Sequence, residues 1–161
     1  MPIISTDILY KQSGASSLGG AISATDVSTA INGLFDVVSG TEALSGDTEY
    51  RCVYVKNNHG SLTLYNAAVF IQTNTPSTDT DAAIGVGSSA INGTEQTVAN
   101  ESTAPTSVVF SAPSTFATGL ALGDLAPGAW RAVWIRRTVS SAASAYNGDG
   151  VTLAVQGDTA A

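Results

Sequence analysis

Few side chains in this 161-residue chain could carry acid, base or nucleophilic chemistry, since it holds one histidine and one cysteine beside thirteen carboxylates and six Lys or Arg residues. His59 sits in the turn sequence Asn57-Asn58-His59-Gly60. With no second histidine, a His-based zinc site or a Ser-His-Asp triad would rest on this one residue, so an ordinary turn histidine is expected. Cys52 lies mid-strand between Arg51 and Val53 with no base beside it, which fits a small buried hydrophobe better than a nucleophile. The runs Thr78-Asp79-Thr80-Asp81 and Asn147-Gly148-Asp149-Gly150 are rich in oxygen ligands, and calcium takes about six to eight of them. Neither run follows the EF-hand or the glycine-rich repeat spacing, so no metal is expected. Ser17-Leu18-Gly19-Gly20 lacks the Lys and the strand-to-helix context of a phosphate cradle. No carboxylate sits among aromatics as glycoside hydrolysis would favour. A non-enzymatic protein without cofactors is the expectation.

The residues with most to offer are arginines and tryptophans on one stretch, 123–139, which reads GDLAPGAWRAVWIRRTV. Gly123, Asp124, Pro127 and Gly128 supply turn chemistry, and no breaker interrupts 129–139, so a strand entered from a tight turn is predicted. Extended, it sends Trp130, Ala132, Trp134, Arg136 and Thr138 to one side and Arg131, Val133, Ile135, Arg137 and Val139 to the other. Both sides are apolar in the middle, as in the core strand of a sandwich whose second face is open to a partner. Arg136 and Arg137 are adjacent and so point to opposite faces. One is free to serve the fold and the other to bind a carboxylate on a neighbour. Either arginine replaced by glutamate is expected to weaken attachment while leaving the monomer folded. Trp130 and Trp134, with Tyr50 and Tyr54, would make a sugar-stacking platform if exposed, although at strand spacing such aromatics usually belong to the core.

Composition sets the frame for these residues. At 161 residues the chain is one domain, or one domain with an arm, able to bury roughly 70% of its unfolded surface. Charged residues make up only 12%, and small neutral side chains suit close packing in an assembly. The net charge of −7 disfavours nucleic acid as a partner. The lone cysteine excludes an intrachain disulfide, the start MPIISTDILYKQ has no secretory pattern, and no window approaches a membrane span. The patterns Asn92-Gly93-Thr94 and Asn100-Glu101-Ser102 are accordingly expected to stay unglycosylated.

Taken in order, residues 1–20 read as a strand or extended arm, with Ile3 and Ile4 as its first apolar cluster, followed by a flexible connection at 12–20 (QSGASSLGG). Residues 21–161 read as the β-sandwich domain. Residues 24–38 predict a short helical turn or a bulged strand. The alternation at 46–57 (GDTEYRCVYVKN) and the apolar run at 61–73 predict a pair of strands joined as a hairpin, with a bulge near Asn66 able to reset the second register. Short strands are predicted around Ile84, at Val108-Val109-Phe110, at 119–122, and as a closing strand at 151–156. The tetrapeptide Ala-Ile-Asn-Gly occurs at 30–33 and 90–93 and reads as recurring turn chemistry. The sum is an all-β sandwich of about seven to nine strands, immunoglobulin-like or jelly-roll, with an extended N-terminal segment.

The segments MPIISTDILYK, GDTEYRCVYVKNNHGSLTLYNAAVFIQTNTPS, GLALGDLAPGAWRAVWIRRTV and YNGDGVTLAVQGDT together resemble small virion structural proteins of tailed bacteriophages, most of all the head decoration or cement type. The resemblance runs over nearly the whole chain as texture. It implies a β-rich virion protein without enzymatic activity, made in the host cytoplasm, which binds the outer surface of an assembled capsid and stabilises it against internal pressure. The implied partners are the major capsid protein and further copies of the chain, as trimer or dimer, with no direct contact to nucleic acid or membrane. Arg136, Arg137, Trp130, Trp134, Ile3 and Ile4 are the expected interface residues. A neck, tail or fibre component, and a carbohydrate-binding sandwich module, are the alternatives.

Overall fold

Turn-forming and β-forming sequence alternate along the chain, and in a computed structural model of the protein, which describes residues 2–14 and 16–159, they become ten strands. These are β1 (Ile8–Ser13), β2 (Gly19–Gly20), β3 (Ile22–Asp26), β4 (Asp47–Asn57), β5 (Leu64–Thr73), β6 (Thr80–Val86), β7 (Glu95–Thr97), β8 (Leu120–Leu125), β9 (Trp130–Val139) and β10 (Thr152–Thr159). A five-stranded antiparallel sheet runs β3-β1-β4-β9-β6, and a three-stranded one runs β10-β5-β8. Val53, Val55, Ile84, Val133 and Ile135 from the first sheet meet Leu64, Ala67, Val69, Ile71, Leu122 and Leu125 from the second in one buried cluster, so the protein is an all-β sandwich. Among the described residues, no helix is long and apolar enough to cross a membrane.

Strand β9 is central, as its two apolar sides require. It pairs with β4 from Asp47↔Val139 to Lys56↔Trp130, and with β6 from Thr80↔Val139 to Val86↔Val133. Its inward side enters the core between the sheets, while Ala132 and Trp134 on the outward side join Cys52 and Tyr54 in a second buried cluster.

The N-terminal segment and its connection are built into the body of the protein. Strand β1 lies between β3 and β4, inside the sheet, so it is neither an edge strand nor a free arm. The glycine-rich stretch after it, expected as a flexible connection, packs over the outward face. Ser13 and Ser17 are buried, and β2 forms a two-stranded ladder with β7. Small residues are there because the backbones nearly touch: Gly19 has φ +90, and a Cβ on it would lie 1.8 Å from the carbonyl oxygen of Gln96. Ala15 lies outside the described residues.

The predicted hairpin between the 46–57 and 61–73 segments is not formed. β4 and β5 belong to opposite sheets, and the chain arches from one to the other. Buried Asn57 makes the corner, its Nδ2 donating to the carbonyls of Leu62 at 2.9 Å and Leu125 at 2.8 Å, while its Oδ1 accepts the His59 amide at 3.0 Å. Asn57→Ala is expected to cost about 1–3 kcal/mol in a denaturant titration, since it takes the side-chain donor from the buried Leu125 carbonyl and the partly buried Leu62 carbonyl. β8 and β9 likewise sit in different sheets, so the turn between them at Pro127-Gly128 makes an arch and not a hairpin. The bulge at Asn66 is present, with φ 49 and a register shift between Leu64 and Ala67.

Two further expectations differ from the structure. Residues 24–38 hold the end of β3 and an irregular segment, and the helix α1 (Gly40–Ser45) begins later, where Ser39 and Glu42 form a reciprocal capping box. Val108-Val109-Phe110 makes no strand, only a single bridge between Ile84 and Ser111. The repeated Ala-Ile-Asn-Gly does make the same turn twice: Asn32 and Asn92 both have φ 61, and Gly33 and Gly93 donate to the carbonyls of Ala30 and Ala90 at 3.0 and 2.9 Å.

Candidate functional site at the arginine end of the central strand

At the C-terminal end of β9 the two adjacent arginines part company. Arg137 points inward, directly across from Glu49 on β4. Its Nε donates to Glu49 Oε2 at 2.6 Å and its NH1 to the Asp36 carbonyl at 2.7 Å, while NH2 meets the carboxylates of Glu49 and Asp36. Its guanidinium lies 4.9 Å from the centre of the Phe35 ring, and Arg51 lies 5.5 Å from that same ring. Arg51 donates to the Leu34 carbonyl at 3.1 Å and pairs with Glu101. Segment 27–39, irregular in backbone, is thus pinned by two cations on either strand neighbour of the core.

One carboxylate oxygen from each of Asp36, Glu49 and Glu101 falls within 4.8 Å of the others, which makes this the set that could hold a metal ion among the described residues. Two guanidiniums already share those three carboxylates, so most of their charge is offset within the fold. Burial pushes the Glu49 carboxyl above the usual carboxylate range, aided by Asp36 and Glu101 and opposed by Arg137. Its Oε1 has no hydrogen-bond partner.

Arg136 points outward and has no carboxylate partner among the described residues. Its guanidinium stacks on Phe110 at 5.4 Å, and Phe110 in turn packs against Tyr50 with centroids 5.5 Å apart. Beside it the Trp face is closed. Trp134 is fully buried, and Leu18, Ile22, Val98, Val108 and Phe110 of the same chain cover the cluster it belongs to. The shield over this face, expected from a partner, is instead the protein's own polypeptide, which removes Trp134 from any contact surface. Trp130 is half-buried, its backbone locked to the turn at Asn92 by hydrogen bonds of 2.9 and 3.0 Å and its indole donating to the Gly93 carbonyl at 3.4 Å. Ile3 packs against the inter-sheet core, while Ile4 is exposed. Of the six expected interface residues, Arg136 and Ile4 present themselves outward and Trp130 does so in part. These three do not form a single site.

The cover is held by Glu95, which is buried. It accepts from the Ser88 hydroxyl at 3.1 Å, the Ser89 amide at 2.9 Å and the Gln96 side chain at 3.2 Å. Burial alone would raise its pKa, yet the hydrogen bonds from Ser89 and Gln96, helped by the nearby Trp134 indole, bring it down to about 2. The indole Nε1 itself makes no hydrogen bond of ordinary geometry. The Tyr54 hydroxyl completes the clasp, accepting from the Glu95 amide at 2.9 Å and donating to the Gly20 carbonyl at 2.5 Å.

The other candidates for chemistry have structural posts. His59 Nδ1 accepts the amides of Ser61 and Leu62 at 3.2 and 3.0 Å, as a turn histidine does. Cys52 is fully buried, and burial pushes its thiol up to about 12, far from a thiolate at neutral pH. Asp79 accepts the Ser144 amide at 2.9 Å, Asp81 the Asn74 side chain at 3.0 Å, and Asp149 the Ser77 amide at 3.3 Å as well as the Thr80 hydroxyl. These carboxylates tie loop to loop instead of gathering on one point. A surface groove of about 340 Å³ is lined by Gly14, Ser16, Leu18, Gly19, Gly20, Thr97 and Val98, with no acid, base or metal ligand among them.

Sequence reasoning missed Glu49, Glu95 and Phe35. A signal existed for Glu49, a charged residue sharing the inward face of β4 with Val53 and Val55. Fold and site together define a β-sandwich with a self-covered second face and one outward arginine left over. No protein-family model, curated protein or solved structure matches the chain.

Proposed function

We propose that this protein is a non-enzymatic virion structural protein of a tailed bacteriophage, of the head decoration type, which attaches to the outer surface of the capsid as a homo-oligomer and bridges neighbouring subunits of the major capsid protein. The observation that carries the reading is Arg136. In a chain of net charge −7, Arg51, Arg137 and Lys11 are each paired with a carboxylate, whereas Lys56, Arg131 and Arg136 have none among the described residues, and of these half-buried Arg136 lies over Phe110 on the outward face. An arginine whose guanidinium lies over an aromatic ring with its Nε buried is left to offer its two terminal nitrogens to a partner's carboxylate. Val109, at 84% exposed, supplies apolar surface one residue from that ring. The low charge and the occupation of the oxygen-rich loops by structural ties support attachment over catalysis. Weak single contacts suffice when many copies bind a symmetric shell.

The test is binding of purified protein to capsids lacking it. Arg136→Glu is expected to weaken attachment by about 2 kcal/mol per copy, roughly thirtyfold in affinity, with the melting temperature of the free protein nearly unchanged. Undiminished capsid binding by that variant removes Arg136 from the interface, and copies confined to the neck or tail of intact particles overturn the capsid reading in favour of a tail component. The carbohydrate reading needs Trp130 or Trp134 at a surface; Trp134 is fully buried and Trp130 half-buried, and binding of the isolated protein to a glycan array would favour that reading.

A further inference from the structure

The chain contains three Asn-Gly pairs, Asn32-Gly33, Asn92-Gly93 and Asn147-Gly148, and the fold treats them differently. Asparagine followed by glycine is open to attack by the glycine amide nitrogen on the asparagine side-chain carbonyl, because no Cβ shields that nitrogen. The reaction requires the nitrogen to be free and the side chain to swing over it. We propose that Asn147 is a self-modification site of this protein, while the folded structure protects Asn32 and Asn92.

In the two protected pairs the glycine nitrogen is already engaged, Gly33 donating to Ala30 at 3.0 Å and Gly93 to Ala90 at 2.9 Å. Both asparagines are fixed at φ 61 by the turn. Asn92 is held once more, its side-chain oxygen accepting the Trp130 amide at 3.0 Å, which turns the carbonyl away from its own neighbour. Gly33 is hemmed in as well, since a Cβ built on it would lie 2.4 Å from the Ser28 carbonyl oxygen. At Asn147-Gly148 none of these restraints exists. Both residues are exposed, the Gly148 amide has no hydrogen bond among the described residues, and nothing lies within 4 Å of the position a Gly148 Cβ would take.

The chemistry balances without any oxidant or cofactor. A bond forms between Gly148 N and Asn147 Cγ, the Cγ–Nδ2 bond breaks, and the amide proton leaves with the nitrogen as ammonia, closing a succinimide. Water then adds to one of the two ring carbonyls and opens the ring, to aspartate or to isoaspartate with its extra main-chain methylene. The neighbour Asp149 ties this loop to Ser77 and Thr80, so an isoaspartate at 147 lengthens the chain immediately ahead of that tie. The inference is independent of the capsid reading.

The intact folded protein is incubated at mildly alkaline pH in ¹⁸O-labelled water, and its peptides are mapped by mass spectrometry. Conversion at Asn147 is expected to run about tenfold or more ahead of Asn32, with Asn92 slower still, since attack depends steeply on placement. In denaturant the three sites converge, and Asn147→Gln removes the fast phase from the folded protein. Equal rates at the three sites in the folded protein, or a slower rate at Asn147 than at either other site, overturn the proposal.

Discussion

Arg137→Glu is expected to destabilise the protein by about 3–5 kcal/mol, the cost of leaving a buried charge without its partner. Glu49 is 1% exposed and holds Arg137 through two of the guanidinium nitrogens, so the substitution sets a second carboxylate against a buried one. It also frees Phe35 and the Asp36 carbonyl, and with them the irregular segment that closes this end of the sandwich. Against a total stability of about 5–15 kcal/mol, this is a large fraction. Urea titration checks it. The pH dependence separates an ionic cause from a packing one. Glu49 already has a raised pKa, and a group raised in the folded state lends stability that is present at low pH and lost as pH rises through its folded value. Without Arg137 the pKa climbs further, so the deficit of the variant is expected to narrow in acid. A deficit that stays constant from neutral to acid pH would show that the charge network is not its source. Arg136→Glu, one residue away, is expected to cost about 1 kcal/mol or less, the loss of its stacking on Phe110. The expectation that either arginine can be replaced with the monomer left folded is therefore at odds with the ties Arg137 makes to Glu49 and Asp36.

Glu95→Gln carries the second large effect, roughly 2–3 kcal/mol at neutral pH. The carboxylate is held at a pKa of about 2 against an ordinary value of 4.5, and each unit of depression corresponds to about 1.4 kcal/mol favouring the charged folded form. The glutamine keeps one acceptor oxygen where the carboxylate had two, and its NH2 would face the amide of either Ser88 or Ser89 as a second donor. Because the folded pKa is depressed, the contribution is complete above about pH 4.5 and is lost as pH falls toward 2. The gap between wild type and variant is therefore expected to close over that window, as followed by thermal melts across a pH series. Since Glu95 clasps the cover over Trp134, tryptophan fluorescence of the variant should also shift toward that of a hydrated indole. An unshifted spectrum together with an unchanged melting temperature would show that the cover stands without it.

Much of this molecule was readable residue by residue, because the signals involved are local. Alternation along 130–139 announced a two-faced strand, and β9 is one. Turn chemistry placed the entry at Pro127-Gly128, the bulge at Asn66 and the two identical Ala-Ile-Asn-Gly turns. Low charge, a buried cysteine and a lone turn histidine were legible in the same way. Each depends on a few neighbouring backbone angles and the side chains that permit them.

Partnership between distant strands was not readable, because side-chain period says which residues share a face but not what lies opposite. Thus β4 and β5, adjacent in sequence and alike in pattern, went to opposite sheets, and the side chain of Asn57 rather than any turn signature made the corner. The Gly-Ser stretch after β1 looked flexible, yet its lack of side chains is what lets one backbone press on another above Tyr54 and Trp134. Arg136 and Arg137 were equal in the sequence. The antiparallel register that set Glu49 across from one of them made it structural and left the other to the surface, a choice made by packing across 88 residues of separation.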